Sequence, residues 1–381
     1  MKKIVLVTAF PPEGGGGGGV ILRTLLDTVE SNRIHWIILN NDKTVKKNWR
    51  PQINRYLPIF NVPGLRFDII YFIKKFLFNY FILFVELSRL IYLKFKFSPK
   101  LIWLVIDKDE IFLMYYLAKF SGIPWHLTIH DDPEVSLKLA GKKYFESDEL
   151  KFDFLIRNAT SVDCISNRMS NYYKKKFGIN SIVLSRTISL SVLEANKSIE
   201  KLSNNKINII MGGWGDCPEP WPECLIEAID ILEKKTNKNV NFYAFDPKFK
   251  ELNDSRFIYC ERMSSEEFDL FLNKMDIGYA PDPLELKYRL FAQTSLSTKI
   301  VTYLSATIPT FYHGPQDSSI GEIFSRFKAG VIVESNKPEE IAIGLFELIT
   351  NYSTYRSNSI NLARNDFDET KLKNRLNLIL N

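Results

Sequence analysis

The sequence has few of the residues that build covalent or metal-linked scaffolds. Its 381 residues include only four cysteines and four histidines. The cysteines are irregularly spaced, which excludes a disulfide framework or a paired-cysteine zinc site and predicts reduced thiols in a cytoplasmic protein. Lysine and arginine number 50 against 44 aspartates and glutamates, a net charge of +6. This excess is too small for a dedicated nucleic-acid binder.

Long uninterrupted apolar runs are also missing. The N-terminus offers only Ile4–Val7, too short for the core of a signal peptide and typical of a first β-strand. Phe67–Phe97 is rich in aromatic and aliphatic residues, but Lys75 and Glu86 interrupt it before the ~20 apolar residues of a membrane span. We expect a helix with one narrow polar stripe that is either packed in a core or lies on a membrane surface. The stripe comprises Asp68, Lys75, Asn79 and Glu86.

Short apolar runs alternate with helical patterns along the whole chain, which predicts an α/β fold built on parallel sheets. The polar stretch 194–208 has the composition of a linker, and the alternation starts again after it. We therefore expect two Rossmann-like domains, at 1–190 and 205–350. The helical pattern of 351–381 predicts C-terminal helices that pack back on one of the two.

A glycine run follows the first strand. Phe10-Pro11-Pro12-Glu13 leads into Gly14–Gly19, where an α/β domain presents backbone N–H groups to an anionic ligand. Six consecutive glycines cost folding entropy, which favours a loop that closes over a substrate, although a loop without function also fits. The formal GxGxxG match carries no weight, because any such run contains it.

His130 and Asp131 follow the predicted strand Trp125–Ile129, at the sheet edge where α/β enzymes place their chemistry. A histidine there can polarise a hydroxyl or carry a proton near neutral pH, so both residues are candidate catalytic groups. A histidine that is merely hydrogen-bonded at a strand end also fits. Asp132 before Pro133 is typical of a helix N-cap.

The second half contains candidate phosphate ligands. Ser297 is suited to cap a helix whose first turn carries Lys299. A cation at the positive end of a helix indicates an anion bound between them, unless the lysine is an ordinary surface residue. Arg289 lies just upstream and can add charge. Gly213 and Trp214 follow a strand, in a loop that either approaches a ligand or simply turns the chain.

These fragments together resemble the retaining GT-B glycosyltransferases, a metal-independent group similar to glycosyltransferase family 4. The resemblance covers most of the chain, from KIVLVTAFPPEGGGGGGV through GIPWHLTIHDD to LSTKIVTYLSATIPTF and KAGVIV. It implies two Rossmann-like domains facing a cleft, with acceptor bound by the first and nucleotide-sugar donor by the second. It also implies Gly15 and Gly16 near the donor phosphates, His130 beside the sugar, and Lys299 on the diphosphate.

The chain departs from this family at two positions. Thr302 replaces the glutamate that usually contacts the ribose or sugar, and Thr307 replaces a glycine. The chain is thus either a divergent enzyme with its own donor contacts or a protein whose donor site has degenerated.

We expect a glycosyltransferase that moves a sugar from a nucleotide-diphosphate sugar to a lipid-linked or polysaccharide acceptor of cell-surface glycan synthesis. We expect no cofactor, no metal and no nucleic acid, and a cytoplasmic location. If 67–97 lies on a membrane surface rather than in a core, the protein would be peripheral on the inner face of the membrane. Two alternatives remain: a non-catalytic GT-B-like partner subunit, and an NAD-dependent oxidoreductase suggested by the glycine loop and Asp42.

Overall fold

The computed structural model describes residues 2–9, 17–39, 53–56, 69–199, 202, 205–213, 221–261 and 263–380. Contacts divide the chain into two compact units. The first unit is Met1–Ser185 with Leu372–Asn381, and the second unit is Arg186–Lys371. The first boundary falls inside the predicted 1–190 domain, and the chain returns to the first unit within its last helix.

The first unit contains a seven-stranded sheet in the order β3-β2-β1-β4-β5-β6-β7, with every pairing parallel. Its central strands, such as Ile4–Thr8 and Leu101–Val105, are largely apolar and buried on both faces, as parallel sheets covered by helices require. The strands are β1 (Ile4–Thr8), β2 (Ile34–Ile38), β3 (Asn54–Tyr56), β4 (Leu101–Val105), β5 (Trp125–Ile129), β6 (Ser161–Cys164) and β7 (Ile182–Val183). The helices are α1 (Gly17–Leu26), α2 (Ile69–Lys96), α3 (Ile111–Ser121), α4 (Pro133–Leu139), α5 (Glu146–Arg157) and α6 (Asn167–Phe177).

The second unit contains a six-stranded parallel sheet in the order β10-β9-β8-β11-β12-β13. Aromatic rings fill its core, where Phe242 contacts Phe249, Phe257 and Tyr279. The strands are β8 (Lys206–Met211), β9 (Asn239–Ala244), β10 (Phe257–Tyr259), β11 (Ile277–Pro281), β12 (Thr310–His313) and β13 (Gly330–Val333). The helices are α7 (Leu190–Lys197), α8 (Trp221–Thr236), α9 (Ser265–Leu272), α10 (Arg289–Thr294), α11 (Thr298–Ser305), α12 (Ser319–Phe327), α13 (Pro338–Thr350) and α14 (Tyr352–Asp366). The last helix, α15 (Glu369–Leu380), begins in the second unit, and its residues from Leu372 onward belong to the first.

Both sheets have the strand order of a Rossmann fold, which confirms the predicted α/β class. The order reverses between β1 and β4 in the first sheet and between β8 and β11 in the second. Ligands of open parallel sheets bind outside the carboxyl ends of the strands at such reversals. We therefore expect a ligand-binding site at the loops after β1 and β8.

Two sequence-based expectations differ from the structure. The predicted linker 194–208 begins with the last turn of α7, because Leu193 is buried and anchors that helix despite its polar surroundings. The predicted glycine loop is shorter than 14–19, because Gly17–Gly19 already belong to α1. Within the described ranges, none of the helices combines the length and apolar content needed to cross a bilayer.

Candidate active site

The loop after β8 meets the start of α11 at the strand-order reversal of the second sheet. Gly213 has φ +72°, a left-handed conformation that glycine adopts without strain. The Cε atom of Lys299 lies 3.9 Å from the position that a Cβ atom on Gly213 would take. The structure thus brings two predicted binding residues together, and the lysine stem passes over the glycine backbone. Trp214 lies outside the described residues.

Tyr303 fixes this arrangement. Its hydroxyl accepts a hydrogen bond from the backbone N–H of Gly212 at 2.8 Å and lies 3.1 Å from the carbonyl oxygen of Tyr279, to which it can donate. Its ring packs directly over Gly278 in β11. One buried side chain from α11 therefore ties together the end of β8, the middle of β11 and the helix that carries Lys299.

Two carboxylates set the electrostatics around Lys299. Asp246 follows β9 and Asp282 follows β11, and both are buried. Desolvation lowers the pKa of Lys299, while attraction to Asp282 and Asp246 raises it. Burial raises the pKa of Asp282 to about 6, although Tyr312 donates a hydrogen bond to it at 2.8 Å. The site therefore holds one amine and two carboxylates at one sheet edge.

Asp246 has spare hydrogen-bonding capacity. Its Oδ1 accepts from the N–H of Lys248 at 2.9 Å, whereas its buried Oδ2 has no hydrogen-bond partner among the described residues. Sequence reasoning missed Asp246, Asp282 and Tyr303. Asp282 is the first residue after β11 and Asp246 the second after β9, the same positions after a strand that identified His130 and Asp131.

The start of α11 is poor in negative charge. Ser297 is the N-cap residue, as predicted, but its side chain makes no capping hydrogen bond to the described first turn. The first turn has no acidic residue. Since a helix N-terminus carries a partial positive charge, this end together with Lys299 favours a bound anion.

The remaining candidates of the second unit are engaged elsewhere. Thr302 accepts a hydrogen bond from the guanidinium of Arg186 and donates one to the carbonyl of Thr298 at 3.1 Å. Arg289 pairs with Asp317 at 2.5 Å and Glu334 at 2.6 Å, so its charge is largely offset by carboxylates.

In the first unit, His130 lies against the start of α1. A Cβ atom on Gly18 would lie 2.9 Å from Nδ1 of His130, so this close approach requires glycine. Burial lowers the pKa of His130, whereas Asp163 and Asp131 raise it. Its buried Nε2 has no hydrogen-bond partner among the described residues. Asp131 is exposed. Gly15 and Gly16 lie outside the described residues.

Asp132 is the N-cap that the sequence predicts. Its Oδ1 accepts from the N–H of Val135 at 3.1 Å, Pro133 opens α4, and Tyr173 donates to Oδ2 at 3.0 Å. Asp132 therefore holds a helix end in place next to the two candidate catalytic residues.

A buried polar network under His130 was not predicted. His126 in β5 contacts Asp163 in β6 at 2.6 Å and Ser161 at 2.8 Å. Thr128 donates to the same aspartate at 2.5 Å and accepts from Trp103 at 2.8 Å. The polar residues of β5 and β6 alternate with apolar ones along each strand. Only the pairing of the two strands in the sheet brings them together, so the sequence alone does not reveal the network.

The comparisons with known proteins agree on the fold. No protein-family model matches the chain, and no curated protein matches its sequence. A sucrose-phosphate synthase from Thermosynechococcus elongatus is similar with a TM-score of 0.71 and 12% identity, covering 100% of this chain and 98% of that one. HepE from Anabaena, solved with UDP and glucose, has a TM-score of 0.69, 12% identity and coverages of 100% and 99%. MurG from Acinetobacter baumannii has a TM-score of 0.54, 12% identity and coverages of 100% and 99%.

The chain has the α/β fold of GT-B glycosyltransferases over its whole length. This fold places a Rossmann-type sheet in each half, as observed here in both units.

Proposed function

We propose that the protein is a glycosyltransferase that transfers a sugar from a nucleotide-diphosphate sugar, with retention of configuration and without a metal. The observation that carries this proposal is the Lys299–Gly213 contact at the strand-order reversal of the second sheet. The lysine amine and the backbone N–H groups at the start of α11 can bind a diphosphate through charge-assisted hydrogen bonds. They would also offset the negative charge that develops on the departing nucleoside diphosphate.

His130 and Asp131 of the first unit are the proposed catalytic groups. Because burial lowers the pKa of His130, its imidazole is neutral at neutral pH. Its Nε2 can then hydrogen-bond to a hydroxyl, while the exposed carboxylate of Asp131 stands next to it along the chain. The proposed acceptor is a lipid-linked or polysaccharide intermediate of cell-surface glycan synthesis, reached from the cytoplasmic side.

A non-catalytic partner subunit is the second candidate. The observation that favours it is the bond between Arg186 and Thr302, because this bond occupies the position where the family resemblance places a glutamate. A chain without that donor contact could keep the fold and serve as the partner of an active glycosyltransferase.

Nucleotide binding separates the two candidates. Thermal unfolding would be measured with UDP, GDP, ADP, dTDP and CMP, with and without EDTA. A ligand at about 100 times its dissociation constant stabilises the fold by about 2.7 kcal/mol, which is a measurable shift. We expect one nucleoside diphosphate to raise the midpoint and EDTA to leave the shift unchanged.

Lys299→Met removes the amine but keeps an apolar stem over Gly213. Loss of a charged hydrogen bond of about 1.5–3 kcal/mol should weaken binding roughly 10- to 100-fold. Lys287→Met is the matched control, because Lys287 is exposed and pairs with Glu285 at 2.6 Å. If none of the nucleotides shifts the midpoint of the unchanged protein, the partner-subunit candidate replaces the enzyme.

A further inference from the structure

The described part of α2 is apolar on the side that faces solvent. Residues 83, 86, 90, 93 and 97, at α2 and just after it, are buried, whereas 81, 84, 88, 91 and 95 are exposed. Both sets follow the three- and four-residue spacing of one helix face. The exposed set includes Phe84 at 69% exposure and Phe95 at 83%, which is unusual for side chains of this size.

The acidic residue of this segment points inward instead. Glu86 is buried and pairs with Arg89 at 2.7 Å, and burial raises its pKa. The sequence predicted Glu86 to belong to a polar stripe; the structure places it in the buried row with Leu83 and Leu90. The buried row is otherwise apolar, so the described part of α2 is apolar on two faces, and folding alone gives no reason for the outward aromatic residues.

The apolar surface continues onto α3. The ring of Tyr80 contacts Phe112 at 5.4 Å, Phe112 contacts Tyr116 at 4.8 Å, and Tyr116 stacks on Phe120 at 5.8 Å. Phe120 is 59% exposed. We call the outward surface formed by Phe81, Phe84, Ile91, Tyr92, Phe95 and Phe120 the α2–α3 face.

The two helices that carry this face are strongly basic. Glu86 is their one acidic residue, and it is buried. Lys96 donates to the hydroxyl of Tyr92 at 2.7 Å and Lys119 to that of Tyr115 at 2.8 Å, so amines lie beside aromatic rings. The basic residues of the two helices are Lys74, Lys75, Arg89, Lys94, Lys96 and Lys119.

We propose that the α2–α3 face docks the protein on the surface of a membrane rich in anionic lipid. The exposed residues from Phe81 to Phe95 extend over about 21 Å at 1.5 Å per residue, so the helix can lie flat with its rings at the acyl boundary. Lysines at the same level are attracted to the lipid phosphates. A second copy of this chain would bring an equally basic face, which repels it. This proposal does not depend on nucleotide binding, so membrane docking and the proposed glycosyltransferase activity can fail independently in their tests.

Sedimentation with vesicles tests this proposal. The full chain would be mixed with vesicles of phosphatidylcholine alone or with an equal amount of phosphatidylglycerol. We expect pelleting with the anionic vesicles, weakened by high salt. The double substitution Phe84→Ser and Phe95→Ser should weaken binding at least about tenfold, because two apolar side chains no longer enter the lipid. Lys94→Gln with Lys96→Gln should weaken it on anionic vesicles only.

Leu286→Ser is the matched control, since Leu286 is 85% exposed in the second unit. It should pellet like the unchanged protein, and thermal unfolding would establish that every variant folds. The proposal is overturned if the unchanged chain stays in the supernatant, or if the phenylalanine variant pellets equally well. It is also overturned if sedimentation velocity finds a dimer that Phe84→Ser dissociates, because the occupant would then be a second copy.

Discussion

At the scale of single residues, Asp282 and Lys299 show how burial and attraction compete at the candidate site. Burial disfavours the charged form of each, and the opposite charge of the other works against that effect. The lysine was predicted from its position in the first turn of a helix. The aspartate was not, because a carboxylate after a strand is equally typical of a cap, and only the fold shows that it is buried.

Asp282→Asn should change how stability depends on pH. The pKa of Asp282 rises from an ordinary 3.8 to about 6, so between these values the folded chain holds a proton that the unfolded chain has lost. The folded state therefore loses up to about 3 kcal/mol as the pH rises from about 4 to about 7. We expect urea unfolding to show that the variant gains stability over the unchanged protein by this amount across that range.

The shift of His313 has the opposite sign. Burial lowers the pKa of His313 to about 4, so this residue costs stability as the pH falls below about 6.5. His313 is present in both proteins and cancels in the comparison. Glu285→Gln, which removes an exposed carboxylate of the same unit, should track the unchanged protein. A constant difference between Asp282→Asn and the unchanged protein at all pH values would contradict a raised pKa.

At the scale of elements, Tyr303 is the side chain through which α11 positions the loop after β8. Tyr303→Phe removes the acceptor for the N–H of Gly212 and should cost about 1 kcal/mol of unfolding free energy. It should also weaken nucleotide binding, because the loop next to Lys299 loses its anchor. Chemical denaturation and nucleotide titration measure the two effects.

Tyr352→Phe provides the control for this prediction. Tyr352 donates to the carbonyl of Asp276 at 2.9 Å in the same unit, outside the loop that Tyr303 anchors. This variant should lose comparable stability and bind nucleotide normally. Equal nucleotide affinity in both variants would mean that Tyr303 supports the fold only.

The sequence allowed most elements to be predicted, for physical reasons that also explain the failures. The buried parallel strand β1 is an apolar run and was predicted directly. The edge strand β3 is only Asn-Arg-Tyr, so no apolar run identifies it. Periodicity did not predict which side of α2 is buried, because Glu86, which belongs to the predicted polar stripe, points inward. At the candidate site, Lys299 and Gly213 were predicted from local patterns, whereas Tyr303 acts through contacts that join three distant segments.

At the scale of the whole molecule, the chain enters the second unit once and then returns to complete the first. Residues 372–381 belong to the first unit, where Arg33 donates to the carbonyl of Leu380 at 3.2 Å and Arg375 to that of Val183 at 3.0 Å. The buried side chains of this segment, Leu372, Leu376, Ile379 and Leu380, thus belong to the first unit although 186 residues of the second unit precede them. We therefore expect the stability of the first unit to depend on α15.

Leu376→Ala tests this dependence. Leu376 is fully buried in α15, so its truncation should cost about 2–5 kcal/mol. Leu378 lies two residues on and is 81% exposed, so Leu378→Ala should change stability by less than about 0.5 kcal/mol. Hydrogen exchange should show the loss of protection in β1, β2 and β4, with β8, β9 and β11 unaffected. Faster exchange in the second sheet instead would mean that α15 supports the unit it leaves rather than the one it joins.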